Sequence, residues 1–164
     1  MKEFTITSLV KEYSYEELPE ADRRLVDAAK EAVINAYVPY SKFHVGAAIL
    51  LDNSRIVTGS NQENAAYPSG LCAERTAAFY ASSQHPAVPF KKIAIAAWTN
   101  PDNKAGSFEE FFQDMPISPC GGCRQALMEY EHLYGSIEVI LYGRKKIYVL
   151  PSVSSLLPFS FTSF

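Results

Sequence analysis

Several things are scarce in this chain. Its 164 residues hold only three cysteines, too few for the disulfide framework of a small secreted scaffold. Met-Lys-Glu-Phe-Thr-Ile-Thr opens it without the basic start and apolar run of a secretory leader, so cytoplasmic residence is expected. No stretch of about 18 apolar residues is present, which excludes a membrane-spanning helix. Positive charge is thin as well. Lys and Arg number 15 against 18 Asp and Glu, a net charge of −3, and no basic run exceeds Arg144-Lys145-Lys146. A nucleic-acid partner would call for a clustered cationic face, so none is expected. Repeats and low-complexity segments are absent. The rest, 48 % apolar over 164 residues, suits a single domain with a sizeable core. Residues 1–17 form an N-terminal extension to which no role can be given.

The three cysteines fall in two short patterns, Cys72-Ala73-Glu74 and Pro119-Cys120-Gly121-Gly122-Cys123. Cysteines at i and i+3 project from one side of a helical turn and can share a metal ion. A third thiolate from elsewhere leaves one vertex of a tetrahedron open, the mark of catalytic rather than structural zinc. Glu74, two residues after one ligand, can reach a water at that vertex. This is the spacing of zinc deaminase chemistry: a ligand-x-Glu, then Pro-Cys-x-x-Cys, with Cys allowed as first ligand.

Other readings stand beside it. Free cysteines are often buried small hydrophobes. A closed structural site would need a fourth ligand from His44, His85 or His132, none of which has a ligand-like spacing and each of which would leave Glu74 idle.

A coarse pass along the chain places these motifs on elements. Thr5–Tyr13 is undetermined, with a short strand one option. Leu18–Tyr37 has the periodicity of an amphipathic helix, with Pro19 in its first turn and Pro39 closing it. Phe43–Leu51 and Arg55–Ser60 read as a hairpin around Asp52-Asn53-Ser54. Cys72–Gln84 and Cys120–Tyr134 read as helices, which sets both metal motifs at helix N-termini where the macrodipole favours thiolate. Lys92–Trp98, Ile137–Tyr142 and Lys146–Leu150 read as strands and Ser152–Leu157 as a short helix. Asn100–Pro116 is a polar loop that Phe108, Phe111 and Phe112 can pin. Strand–helix–strand crossovers after a hairpin imply an α/β fold, a mixed sheet with helices on both faces.

Four segments carry a resemblance: Tyr40-Ser41-Lys42-Phe43-His44-Val45-Gly46-Ala47-Ala48, Asn61 through Pro68, Cys72-Ala73-Glu74-Arg75-Thr76, and Ser118 through Gln125. In that order they resemble the cytidine deaminases, in particular the short-chain homotetrameric type with three cysteine ligands. The likeness runs from about Ala28 to Phe161. It implies a three-layer α/β/α sandwich on a mixed five-stranded sheet. It also implies one Zn²⁺ per chain held by Cys72, Cys120 and Cys123, and hydrolysis of cytidine and deoxycytidine to uridine and deoxyuridine plus ammonia. Such an enzyme serves pyrimidine salvage.

The resemblance gives further residues their tasks. Glu74 would take a proton from the metal-held water and deliver protons to N3 and the departing amino group. Arg75 would hydrogen-bond ligand sulfurs and offset their charge; an ordinary surface ion pair is the plain alternative. Asn61 and Glu63 would hold the ribose 3′-hydroxyl, Phe43 would stack on the base, and the Ala73 N–H would meet the pyrimidine O2. Without the resemblance, Asn61–Asn64 is a polar strand end and Phe43 a core residue. Tyr67 and Phe161 match positions that reach a neighbouring subunit's site, which implies a homotetramer. The apolar closing run Leu156–Phe164 fits burial on this subunit or another. His44 stands where the family often has proline, and Asn100–Pro116 is longer than usual. A deaminase of an aminonucleoside antibiotic, a nucleotide or nucleic-acid deaminase, and a non-catalytic zinc module are the alternatives. The ribose segment argues against the first, the acidic balance against the second and Glu74 against the third.

Overall fold

The computed structural model describes residues 1–100 and 104–163. Its elements are β1 (Lys11–Tyr13), α1 (Glu20–Ala32), β2 (His44–Leu51), β3 (Ile56–Ser60), α2 (Ala73–Gln84), β4 (Phe90–Trp98), α3 (Gly121–Tyr134), β5 (Glu138–Tyr142) and β6 (Ile147–Leu150). Short 3₁₀ turns follow at Val33–Asn35, Tyr67–Ser69, Phe108–Phe111 and Val153–Leu156. The sheet has the order β1-β6-β5-β4-β2-β3. It therefore has six strands among the described residues, not the expected five. The extra one is β1 in the N-terminal extension, whose Glu12 pairs with Tyr148 on the edge strand β6. Three residues of mixed polarity carry too little periodicity for a firm strand assignment, and the pairing comes from the open edge of β6.

Strand direction decides where the site lies. β3 runs antiparallel to β2, and β2 antiparallel to β4, so β3 and β4 point the same way. β5 lies parallel to β4. The helices α2 (between β3 and β4) and α3 (between β4 and β5) are thus crossovers that both start at the same end of the sheet, the carboxyl end of these strands.

Alternating side chains divide the sheet into two cores. Ala47, Ile49, Ile93, Ile95, Val139 and Leu141 pack against Ala73, Ala77, Ala78 and Ala81 of α2 and Leu127 and Met128 of α3. Ala48, Ala94, Ala96, Ile140 and Tyr142 face the other way, onto Leu25, Val26 and Ala29 of α1. The result is the expected three-layer α/β/α arrangement.

Two strand glycines set how closely the helices approach. A Cβ on Gly46 would stand 2.0 Å from Ala29 O of α1, and one on Gly59 would stand 2.4 Å from Ala77 N of α2. Gly59 therefore lets the first turns of α2 lie directly on β3. α1 ends earlier than its apolar periodicity suggests, because Val33–Asn35 tightens into a 3₁₀ turn and Ala36 turns to extended backbone. The closing helix is a single 3₁₀ turn, capped by the Ser152 hydroxyl.

The long loop is pinned as its aromatics suggest. Phe112 is buried and bridges to Trp98, while Lys30 of α1 pairs with Glu109 at 2.8 Å. Its residues 101–103 lie outside the described ones.

Candidate active site

Cys72 is the N-cap of α2 and Cys120 the N-cap of α3; Cys123 lies in the first turn of α3. Neither helix start has a side-chain cap, so first-turn N–H groups remain for whatever the sulfurs hold. The crossover topology brings the two starts together. Sγ of Cys72 lies 3.8 Å from that of Cys120, and Cys120 Sγ lies 3.4 Å from Cys123 Sγ.

Zinc–sulfur bonds near 2.3 Å in a tetrahedron put the sulfurs about 3.8 Å apart. A disulfide would need about 2.05 Å, and all three cysteines are free. The three sulfurs, all within 4.8 Å of one another, form the metal-competent cluster of the described residues. Their spacing and softness fit zinc, and three ligands leave one vertex open. His44 is engaged with Val33 O at 3.1 Å and with the Trp98 ring, and it does not join them.

Charge is arranged around the sulfurs as a metal ligand set requires. The Cys72 thiol is pushed down to about 5, first by hydrogen bonding from Cys123 and then by Arg75 and Cys120. Arg75 Nη2 reaches Cys72 Sγ at 3.8 Å, while its Nε is buried without a partner. Glu74 is 4 % exposed. Burial pushes its carboxyl above the ordinary glutamate range, and the Cys72 charge adds to the rise. A carboxyl with raised proton affinity beside a three-sulfur cluster can take up and give back a proton there.

A cleft of about 600 Å³ opens beside the cluster, lined by Tyr40, Ser41, Asn61, Glu63, Cys72 and Arg75 among others. Tyr67 also lines it and is 80 % exposed. The expected ribose pair is thus in the cleft wall, although both side chains already hold backbone. Asn61 Oδ1 accepts from Val45 N at 2.8 Å and its Nδ2 donates to Phe43 O at 2.9 Å. Glu63 Oε2 accepts from Tyr40 N at 3.0 Å and Ser41 N at 3.2 Å. The Ser41 hydrogen bond, with those of Tyr40 and the charge of Lys42, holds Glu63 below its ordinary carboxyl range. Phe43 is half-buried at the mouth of β2, and Ala73 is fully buried at the start of α2.

Phe161 is not among the residues that line this cleft. Its backbone is clamped by Gln125, whose Nε2 donates to Phe161 O at 2.6 Å and whose Oε1 accepts from Phe161 N at 3.0 Å. The Phe161 residue is 67 % exposed. Arg124 ties the same tail to α3, reaching Leu156 O at 2.9 Å and Pro119 O at 2.9 Å.

Sequence reasoning missed three supports: the Arg124–Gln125 pair, Glu131 and Thr99. Glu131 follows Leu127 by four residues on α3, so it falls on the apolar face; a carboxylate there was the available signal. Its carboxylate accepts from Ile137 N, Val153 N and Ser154 N at 2.7–2.9 Å. Thr99 carries no signal of its own in the sequence.

Residues 19–134 match the family model described as the cytidine and deoxycytidylate deaminase zinc-binding region. A cytidine deaminase of Sporosarcina psychrophila is 40 % identical over 139 residues, covering 85 % of this chain and 90 % of that protein. A probable cytidine deaminase of Dictyostelium discoideum is 35 % identical, covering 82 % and 80 %. A crystal structure of cytidine deaminase from Burkholderia pseudomallei superimposes with a TM-score of 0.68 at 37 % identity, covering 84 % of this chain and 97 % of the other. With most of its length matched in sequence and in fold, the chain belongs to the zinc-binding family of cytidine and deoxycytidylate deaminases.

Proposed function

We propose that this chain hydrolyses cytidine and deoxycytidine to uridine and deoxyuridine with release of ammonia, as an enzyme of pyrimidine salvage. The buried Glu74 carboxyl beside the three-sulfur cluster carries the reading. Zinc, when bound by Cys72, Cys120 and Cys123, supplies the Lewis acidity that makes a water nucleophilic near neutral pH.

The chain's own groups do the rest. Glu74 takes a proton from the attacking water, places one on N3 of the base, and delivers one to the amino nitrogen as it leaves as ammonia. One water is consumed, C4 gains an oxygen, and the C4–N bond breaks. Its raised proton affinity suits both directions of transfer. Three thiolates make the metal electron-rich; Arg75 at Cys72 and the two helix starts draw charge back from the sulfurs. Phe43 stacks on the pyrimidine, the Ala73 N–H meets O2, and Asn61 with Glu63 holds the 3′-hydroxyl. Both side chains keep hydrogen-bonding capacity beyond their backbone contacts, such as Glu63 Oε1.

The subunits assemble as a homotetramer that shares its sites. Exposed Tyr67 at the cleft, and exposed Phe159 and Phe161 on a tail clamped to α3, are supporting observations, since large apolar side chains gain most by burial against another surface. The test is the ultraviolet change of cytidine with purified protein, alongside metal content and light scattering. Absence of turnover in a zinc-loaded sample would refute the deaminase reading. A fully active monomer would refute the shared site alone.

A further inference from the structure

The turn that presents Phe43 is held from several sides. Glu63 takes the N–H groups of Tyr40 and Ser41, Ser41 Oγ accepts from Phe43 N at 3.0 Å, and Asn61 spans Phe43 O and Val45 N. Lys42, at the middle of the turn, has φ 58°. Left-handed backbone is uncommon for a residue with a Cβ and persists where its surroundings over-determine it. Its N–H donates to Val38 O, 3.2 Å away within the same loop. Its carbonyl is reached from another part of the fold: Thr99 Oγ1 donates to Lys42 O at 3.0 Å.

Thr99 stands just past the end of β4, and the long loop fixes it there. Its N–H donates to Phe111 O at 3.0 Å, and the neighbouring Trp98 Nε1 donates to Phe108 O at 3.0 Å. The Trp98 ring meets the ring of His44, the residue after Phe43, edge-on at 5.0 Å. A continuous line of contacts therefore runs from Phe108–Phe111 through Trp98 and Thr99 to Lys42 and His44, the two residues flanking Phe43. Glu74 and the cysteines lie on other elements.

We propose that Thr99 is a positioning residue for the substrate's pyrimidine ring: its hydroxyl fixes the Lys42 carbonyl, and so the direction in which Phe43 is presented. The proposal rests on Phe43 as the base-stacking side chain. A stacking surface already held in place spares the substrate the cost of ordering it. Without the Thr99 hydroxyl, that cost falls on binding and leaves the proton transfers alone. The effect belongs in KM and in product inhibition, not in kcat.

The experiment is a double-mutant cycle on the zinc-loaded enzyme, with KM and kcat for cytidine and the inhibition constant of uridine. Thr99→Val is expected to raise KM and the uridine constant roughly 3- to 10-fold, the scale of ordering one side chain, with kcat within about twofold. Thr99→Ser keeps the hydroxyl and should restore the wild-type KM. In a Phe43→Ala background, Thr99→Val should add less than about 1.5-fold, because there is no ring left to aim. Thr99→Ala runs through the same cycle in case the valine methyl is not accommodated. An unchanged KM in Thr99→Val, a full effect that persists beside Phe43→Ala, or a serine variant as poor as valine would each overturn the proposal. Wild-type protein inert toward cytidine would instead refute the deaminase reading. Active wild type with an unimpaired Phe43→Ala would remove the role of Phe43, and this inference with it.

Discussion

Replacing Glu74 by glutamine separates chemistry from architecture more sharply than any other single change. The side chain is 4 % exposed, so bulk water is a poor substitute for the lost proton carrier. Glutamine matches its shape but neither takes a proton from water nor gives one to a leaving amine. A positioned acid–base group contributes about 10²–10⁴ in rate, a rise of roughly 2.7–5.4 kcal/mol in the barrier. The proposed mechanism gives Glu74 more than one transfer, so the loss in kcat should sit at or beyond the upper end. The fold should not suffer. Burial pushes the Glu74 carboxyl above 4.5, its ordinary value, which means that the ionised side chain costs stability once pH exceeds that value. Glutamine carries no such charge. The assay is the ultraviolet change of cytidine, with zinc content and thermal midpoint measured on the same protein. A variant that keeps zinc and its midpoint but retains kcat within tenfold of wild type would place the proton shuttle elsewhere.

Cys120→Ala should lose zinc and activity together, since a two-thiolate site forfeits much of a binding free energy that reaches about 10–16 kcal/mol in complete structural zinc sites; full occupancy by elemental analysis would remove Cys120 from the ligand set. Glu131→Ala leaves the N–H groups of Ile137, Val153 and Ser154 without their acceptor and should cost about 3–5 kcal/mol. The check is a lower urea midpoint at unchanged slope, and a loss below about 1 kcal/mol would contradict it. Burial raises the Glu109 carboxyl, but Lys30 and the Tyr142 hydroxyl outweigh it and hold the group below 4.5. A depressed carboxyl stabilises above its unfolded value, so the clamp on the long loop should be fully present above pH 4.5 and fade as pH falls. Protection of the Thr99 and Phe112 amides, measured against their intrinsic exchange rates, should therefore fall on acidification before that of β4, and simultaneous loss would refute the order.

Much of the fold was legible because periodicity and punctuation agree with it. The alternation of Ala47, Ile49 and Leu51 with Ala48 along β2 marks a strand buried on both faces, and Gly135 at φ 97° ends α3 where its apolar spacing stops. The ligand set was legible for a chemical reason: all three cysteines had the right spacing, and the carboxylate beside one of them had no other task. What escaped was long-range. β1 forms because β6 offers an open edge, a fact that resides in the partner strand. Thr99 and Gln125 act through backbone carbonyls and amides far away in sequence, and a donor or acceptor of that kind leaves no pattern around itself. The pair Asn61 and Glu63 is an intermediate case. Alternation placed Asn61 and Glu63 on one face, but their grip on the Phe43 turn emerges only once β2 lies beside β3.

That gathering of distant segments follows from strand direction. With β3, β4 and β5 parallel, every crossover helix between them must start at the sheet's carboxyl end, so Cys72 and Cys120 meet although 48 residues separate them. β2 runs the opposite way, so the chain enters it at that same end, and Phe43 arrives beside Asn61, which follows β3. β4 finishes there too and delivers Thr99 to Lys42. Cys72, Cys120, Cys123, Glu74, Phe43 and Thr99 thus gather at one rim because each lies within three residues of the start or end of an element whose direction the sheet dictates. Reversing any one of these strands would carry its contribution to the opposite edge, at least the length of β3 away, about 16 Å for five residues. The small residues that let the layers close, Gly46 against α1 and Gly59 against α2, are therefore as much a part of the site as the sulfurs. A methyl on Gly59 meets backbone of α2 at 2.4 Å and must push away the helix turn that holds both Cys72 and Glu74.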